Sequence, residues 1–118
     1  MIIRNDRLRS AILSALADKE MMMIMDSAMF RSKAANDIIK ETNMPHSTAY
    51  RKIKWMVEED LLIVSSIQIT DDGKKSSLFR STLKSLNVSY HTGVLEVQAE
   101  KNAAVFESAA ENFFSLDS

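Results

Sequence analysis

The chain has no cysteine, one proline and two glycines among its 118 residues. Without cysteine there is no disulfide, no thiolate metal ligand and no cysteine nucleophile, a composition that fits a reducing cytoplasm. So few glycines and prolines disfavour a turn-rich β-sandwich, a glycine-rich phosphate loop and a disordered linker. Long apolar runs are missing too. The longest, Met21 to Met25, is five residues, where a membrane helix needs about 20. No signal-peptide apolar core follows Arg4 and Asp6. The two histidines, His46 and His91, stand too far apart in sequence to suggest a metal site, and no cofactor is expected. Neither Gly-x-Ser-x-Gly nor His-Glu-x-x-His occurs, so no enzyme is expected. What is present, 46% hydrophobic and 26% charged residues, is the balance of a soluble, single-domain, cytoplasmic protein with one modest core.

The net charge of −1 conceals an uneven distribution: residues 1–54 sum to +4 and residues 55–118 to −5. A nucleic-acid binder needs a local positive surface rather than a positive total, which directs attention to the first half. There the apolar spacing is helical. Leu8, Ile12, Leu13 and Leu16 mark a helix over residues 7–17. Asp18 is placed to cap a second helix, whose Met21, Met22, Ile24, Met25, Ala28 and Met29 leave it apolar around most of its circumference. Ser32 offers a cap for a third, with Ala35, Ile38 and Ile39 inward. Pro45 suits the start of a fourth, with Ala49, Ile53, Met56 and Val57 inward. His46, Ser47, Tyr50, Arg51 and Lys54 then share another face; a plain solvated helix face is the alternative for Lys52 and Lys54, with DNA contact the favoured reading.

Beyond Leu61 the period changes to two. Residues 62–70 and 76–84 read as strands about an Asp72-Gly73 turn, which would pair Ile67 with Leu78. A second hairpin about Thr92-Gly93 pairs Tyr90 with Leu95, Val88 with Val97 and Leu86 with Ala99, all on one face; a slip of one residue would destroy that sorting. Phe106, Ala109, Phe113 and Leu116 recur at helical spacing at the C-terminal end. The expected order is α-α-α-α-β-β-β-β-α, an α+β, mainly helical chain.

Helices, a tight turn, another helix and then a β-hairpin make the layout of a winged helix-turn-helix. Residues 15–20, Ala-Leu-Ala-Asp-Lys-Glu, carry a Leu-x-Asp segment. Residues 35–64 carry Ser47-Thr48-Ala49-Tyr50-Arg51 and an exit through Glu58-Glu59-Asp60-Leu61-Leu62. The chain thereby resembles the ArsR-type winged-helix regulators, especially their archaeal relatives; Asp60 stands where that family usually has glycine. The resemblance implies a DNA-binding domain over residues 1–84, with the wing at about 62–84, and an accessory hairpin and C-terminal helix over residues 85–118 for packing or dimerisation. It implies double-stranded DNA as partner, read in the major groove by His46, Ser47, Tyr50 and Arg51, with Lys54 reaching phosphate. Lys74 and Lys75 at the hairpin tip and Arg31 and Lys33 beside the third helix would add backbone contacts. The family's thiolate metal sites cannot exist here, and no small-molecule effector can be inferred.

Regulators of this type commonly read two half-sites, so a homodimer is expected, with Leu8, Ile12 and Leu16 at one end of the chain and Phe106, Ala109, Phe113 and Leu116 at the other as its seam. The last helix could instead fold back over the second hairpin. Two alternatives stand beside a sequence-specific regulator: a winged-helix protein-interaction module, in keeping with the acidic second half, and an architectural DNA binder without strong sequence preference.

Overall fold

The computed structural model describes residues 1–105. Helices α1 (Asp6–Leu16) and α2 (Lys19–Ser27) are followed by a two-residue strand β1 (Lys33–Ala34), then α3 (Ala35–Thr42) and α4 (His46–Glu58). Strands β2 (Leu62–Ile69), β3 (Lys75–Ser81), β4 (Leu83–His91) and β5 (Val94–Lys101) complete the order. Residues 103–105 begin a further helical turn; the stripe of Phe106, Ala109, Phe113 and Leu116 lies outside the described residues. No described helix is long and apolar enough to cross a membrane. The fold is an α+β winged helix-turn-helix with an added hairpin. Helices α3 and α4 form the helix-turn-helix, β1-β3-β2 form an antiparallel sheet in that order with β2–β3 as the wing, and β4–β5 form a second sheet.

Local chemistry sets most boundaries. Asn5 caps α1 by accepting from the Leu8 N–H at 2.9 Å, and Asp18 caps α2 by accepting from the Met21 N–H at 3.0 Å. The turn between α3 and α4 passes through Asn43 in the left-handed region, with φ of 55°, and Pro45 then precedes the first turn of α4. Helix α4 closes with the Leu61 N–H donating to the Met56 carbonyl at 2.8 Å and the Asp60 N–H to that of Val57 at 3.1 Å, a Schellman motif.

Three details depart from the expectations above. Ser32 does not cap α3: Lys33 and Ala34 pair with Phe79 and Leu78, which moves the helix start past Ser32 and leaves Ala34 as a cap without a side-chain bond. The wing pairs Ile67 with Ser77 rather than Leu78. Its loop is one residue longer than a type I′ turn: the Thr70 N–H donates to the Lys74 carbonyl at 2.8 Å, the Gly73 N–H to that of Thr70 at 2.9 Å, and Gly73 alone takes positive φ. That is a type I turn followed by a left-handed glycine. A bulge between Val64 and Ser66 shifts the register by one more residue, so that Val64 faces Phe79. The second hairpin has the expected register, Tyr90 to Leu95, Val88 to Val97 and Leu86 to Ala99.

The core gathers Ala11, Ile12, Ala15, Ile24, Ile38, Ala49, Ile53, Met56, Leu61 and Leu62, and extends without a break to Leu83, Val97 and Ala99 of the second hairpin. Residue Thr82 alone separates β3 from β4, its hydroxyl donating to the Asp60 carbonyl at 2.7 Å. Just past α2, the Met29 carbonyl accepts from Asn102 Nδ2 at 2.9 Å and from Arg80 Nε of β3 at 3.3 Å.

Candidate nucleic-acid interface

Helix α4 buries Ala49, Ile53 and Met56 and turns His46, Ser47, Tyr50, Arg51 and Lys54 to solvent. All five predicted residues of this helix therefore lie on its outer face. No carboxylate occurs between His46 and Lys54. Arg51 and Lys54 make no ion pair among the described residues. The His46 and Tyr50 rings stack, with centroids 6.5 Å apart, and Tyr50 Oη donates to Asn36 Oδ1 at 3.2 Å, leaning the ring toward the start of α3. A planar guanidinium at Arg51 presents the paired donors that match guanine, and the hydroxyl and imidazole at the helix start donate or accept at base edges.

Lys74 and Lys75 are exposed at the wing. The loop that carries them is braced by Asp72, which bonds the Thr70 hydroxyl and accepts from the Lys74 N–H at 3.4 Å. The Thr70 bond holds its carboxyl below the usual carboxylate range. Arg31 and Lys33 line a polar depression with Ser32, Asp37, Lys40 and Glu41. Arg31 is exposed, but Lys33 donates to Glu41 Oε2 at 2.7 Å, and its bond, with help from Ser27, lowers the Glu41 pKa. Lys33 thus has a carboxylate partner in its own chain, and Arg31 is the better placed of the two to meet a phosphate.

Lys52 is not a solvated residue of a charged face. It is buried, and its ammonium donates to Asp18 Oδ2 at 2.6 Å and Glu20 Oε1 at 2.9 Å. The Asp18 bond raises the Lys52 pKa and lowers that of Asp18. Its position three after Ala49 and four before Met56 is the signal that places it inward. At the far end of α4, Arg7 of α1 holds Glu59 through two bonds of 2.9 and 3.0 Å, placing a cation where the helix dipole is negative and drawing the Glu59 carboxyl below its ordinary range.

The seam residues fare unevenly. Ile12 is fully buried in the chain's own core and offers no surface to a partner, because α1 packs inward through Ala11, Ile12 and Ala15 together. Leu8 and Leu16 are half-buried against that core. Leu16 also lines an apolar groove with Met22, Met25, Met29, Leu83 and Leu86. Among the described residues, no cluster of three or more histidines, aspartates and glutamates could hold a metal ion.

No protein-family model and no curated protein matches the chain. Among solved structures it is similar to NolR from Sinorhizobium fredii, at 10% identity over 96% of this chain and 97% of that one, with a TM-score of 0.43. A possible transcriptional regulator from Methanosarcina mazei aligns at 15% identity over 98% and 92%, with a TM-score of 0.49. The homodimeric winged helix-turn-helix DNA-binding domain of a possible ArsR-family transcriptional regulator from Mycobacterium bovis aligns at 15% identity over 98% and 90%, with a TM-score of 0.40.

Proposed function

We propose that this chain is a sequence-specific, DNA-binding transcription regulator of the ArsR type that acts as a dimer, with α4 in the major groove and the β2–β3 wing on the flanking backbone. The observation that carries the reading is the outer face of α4. His46, Ser47, Tyr50, Arg51 and Lys54 are exposed together with no acidic residue among them, on a helix fixed from behind by the core. Arg51 reads a base step; Lys54, Lys74 and Lys75 meet phosphate, with Arg31 beside α3. Binding to a duplex selected from a random pool tests this. Arg51→Ala is expected to weaken specific binding by about 1–3 kcal/mol and relax preference at one step. Lys74→Ala is expected to weaken binding to every sequence and flatten its salt dependence. Unchanged binding after alanine replacement of Arg51, Lys54 and Lys74 together would overturn the reading.

One observation favours a protein-interaction module as the second reading. Strand β2 has no charged residue, and its Val64, Ile67 and Ile69 are 41%, 61% and 70% exposed. Such aliphatics have no part in phosphate contact and would suit a protein partner.

A further inference from the structure

Lys52 lies between Arg51 and Lys54 in sequence yet points the other way. Its side chain is only 9% exposed and sits against the N-terminus of α2. Asp18 serves two helices at once: Oδ1 accepts from the Met21 N–H at 3.0 Å and caps α2, while Oδ2 accepts from Lys52 of α4 at 2.6 Å. Glu20 supplies the second acceptor at 2.9 Å. These are directional, charge-assisted bonds. The apolar contacts of Ala49, Ile53 and Met56 around them are not directional, and a helix resting on apolar contacts alone can slide or rotate slightly at little expense. Nor is the start of α4 tied by a cap, since Pro45 makes no side-chain bond there. Along the body of the helix, the exposed Tyr50 bond reaches Asn36 of α3, and the buried, charge-assisted tie is that of Lys52 to α2 and its cap.

We propose, resting on the DNA-binding reading above, that Lys52 is a positioning residue for base discrimination: held by Asp18 and Glu20, it fixes the rotation and slide of α4 over α2 without touching DNA. A bidentate contact from Arg51 tolerates little displacement, because hydrogen bonds weaken steeply with angle and distance. Phosphate contacts, made by long flexible side chains to a continuous backbone, are forgiving. Loss of the tie therefore degrades the distinction between sequences and leaves the sequence-independent part of binding in place. Because the ammonium is neutralised inside the protein, its removal leaves the count of released counterions unchanged.

The experiment uses the full chain, a duplex selected by the wild-type protein from a random pool, and a scrambled duplex of the same composition. Dissociation constants for both are measured over a range of salt concentrations for Lys52→Met, Lys52→Arg, Asp18→Asn and Lys54→Met. Lys52→Met and Asp18→Asn are expected to reduce the selected-to-scrambled affinity ratio roughly tenfold, the order of one bidentate base contact, with the salt slope unchanged. Lys52→Arg, which retains donors for both carboxylates, is expected to keep the ratio. Lys54→Met is expected to lower the salt slope by about one. Asparagine caps a helix as well as aspartate does, so Asp18→Asn carries the test should Lys52→Met fail to fold. A flattened salt slope in Lys52→Met, or an unchanged ratio accompanied only by a lower melting temperature, would overturn the proposal. Failure of the wild-type chain to select any duplex would overturn the DNA-binding reading itself.

Discussion

Asp60 occupies the left-handed position that closes α4, with φ of 63°. Both Schellman bonds form around it, so the motif is complete although the residue is not the glycine that favours it. An aspartate tolerates this conformation better than most residues but still carries a Cβ strain that glycine lacks. Asp60→Gly is therefore expected to stabilise the chain by about 0.5–1 kcal/mol, the larger chain entropy of unfolded glycine offsetting part of the gain. Thermal melting checks this, as a rise of a few degrees. At this scale the outer face of α4 was legible in the sequence, because helical spacing sorts His46, Ser47, Tyr50, Arg51 and Lys54 from Ala49, Ile53 and Met56. For Lys52 the spacing from Ala49 and Met56 pointed inward while its charge pointed to solvent, and the acceptors that decide between them, Asp18 and Glu20, lie more than thirty positions away. The Lys33–Glu41 pair was hidden for the same reason: Glu41 comes to Lys33 only once α3 has formed.

The two hairpins show what decides a register. In β4–β5 the turn and the alternation agree: Thr92 and Gly93 have φ of 50° and 79°, the two positive values of a type I′ turn, and the pairing follows. In the wing, Asp72-Gly73 looks like the same turn, but the loop closes at Thr70 and Lys74 and shifts every pair up to the bulge by one. The alternation there is too weak to object, since Ser65, Ser66, Ser76 and Ser77 suit either face. Strand β1 has no periodicity to detect at two residues long. Gly93 supplies a direct check. A Cβ built there meets nothing within 4 Å, so Gly93→Ala is penalised by backbone strain alone, expected at about 1–2 kcal/mol. Denaturant unfolding would show a lower midpoint with an unchanged slope.

Taken whole, the described chain is extended for its size, with a radius of gyration of 15.5 Å against about 13 Å for a compact domain of 100 residues. Both hairpins reach beyond the core, and the far end of the second exposes Tyr90 at 73% and Val94 at 64%. The homodimer proposed above is tested in solution. Light scattering at roughly tens of micromolar, a working range for specific association, is expected to give twice the chain mass. Phe106→Glu with Phe113→Glu is expected to give a folded monomer with weaker DNA binding; a wild-type chain that stays monomeric would reject the dimer.

Acid sensitivity is also a property of the whole. Asp18, Glu41, Glu59 and Asp72 are held below their ordinary pKa range, by Lys52, Lys33, Arg7 and Thr70 respectively. Depressed carboxylates stabilise the fold at pH above their unfolded values, and that stabilisation is lost as pH falls through the folded ones. The raised values of Lys52 and Arg7 act in the opposite sense, their contribution persisting until strongly alkaline pH. The melting temperature is thus expected to hold through neutrality and to fall below about pH 4. Asp18→Asn is expected to blunt that fall.

Residues 1–3 lie beside β5: the Ile3 N–H donates to the Val97 carbonyl and the Ala99 N–H to that of Met1, each at 2.8 Å, with Ile3 buried. On a ribosome, where synthesis runs from the N-terminus, residues 1–3 must wait for β5 to emerge before they find their place. Helices α1 to α4 and the wing can assemble earlier from near neighbours. The bonds that tie Met1 and Ile3 to β5 then form after the helices and the wing have assembled.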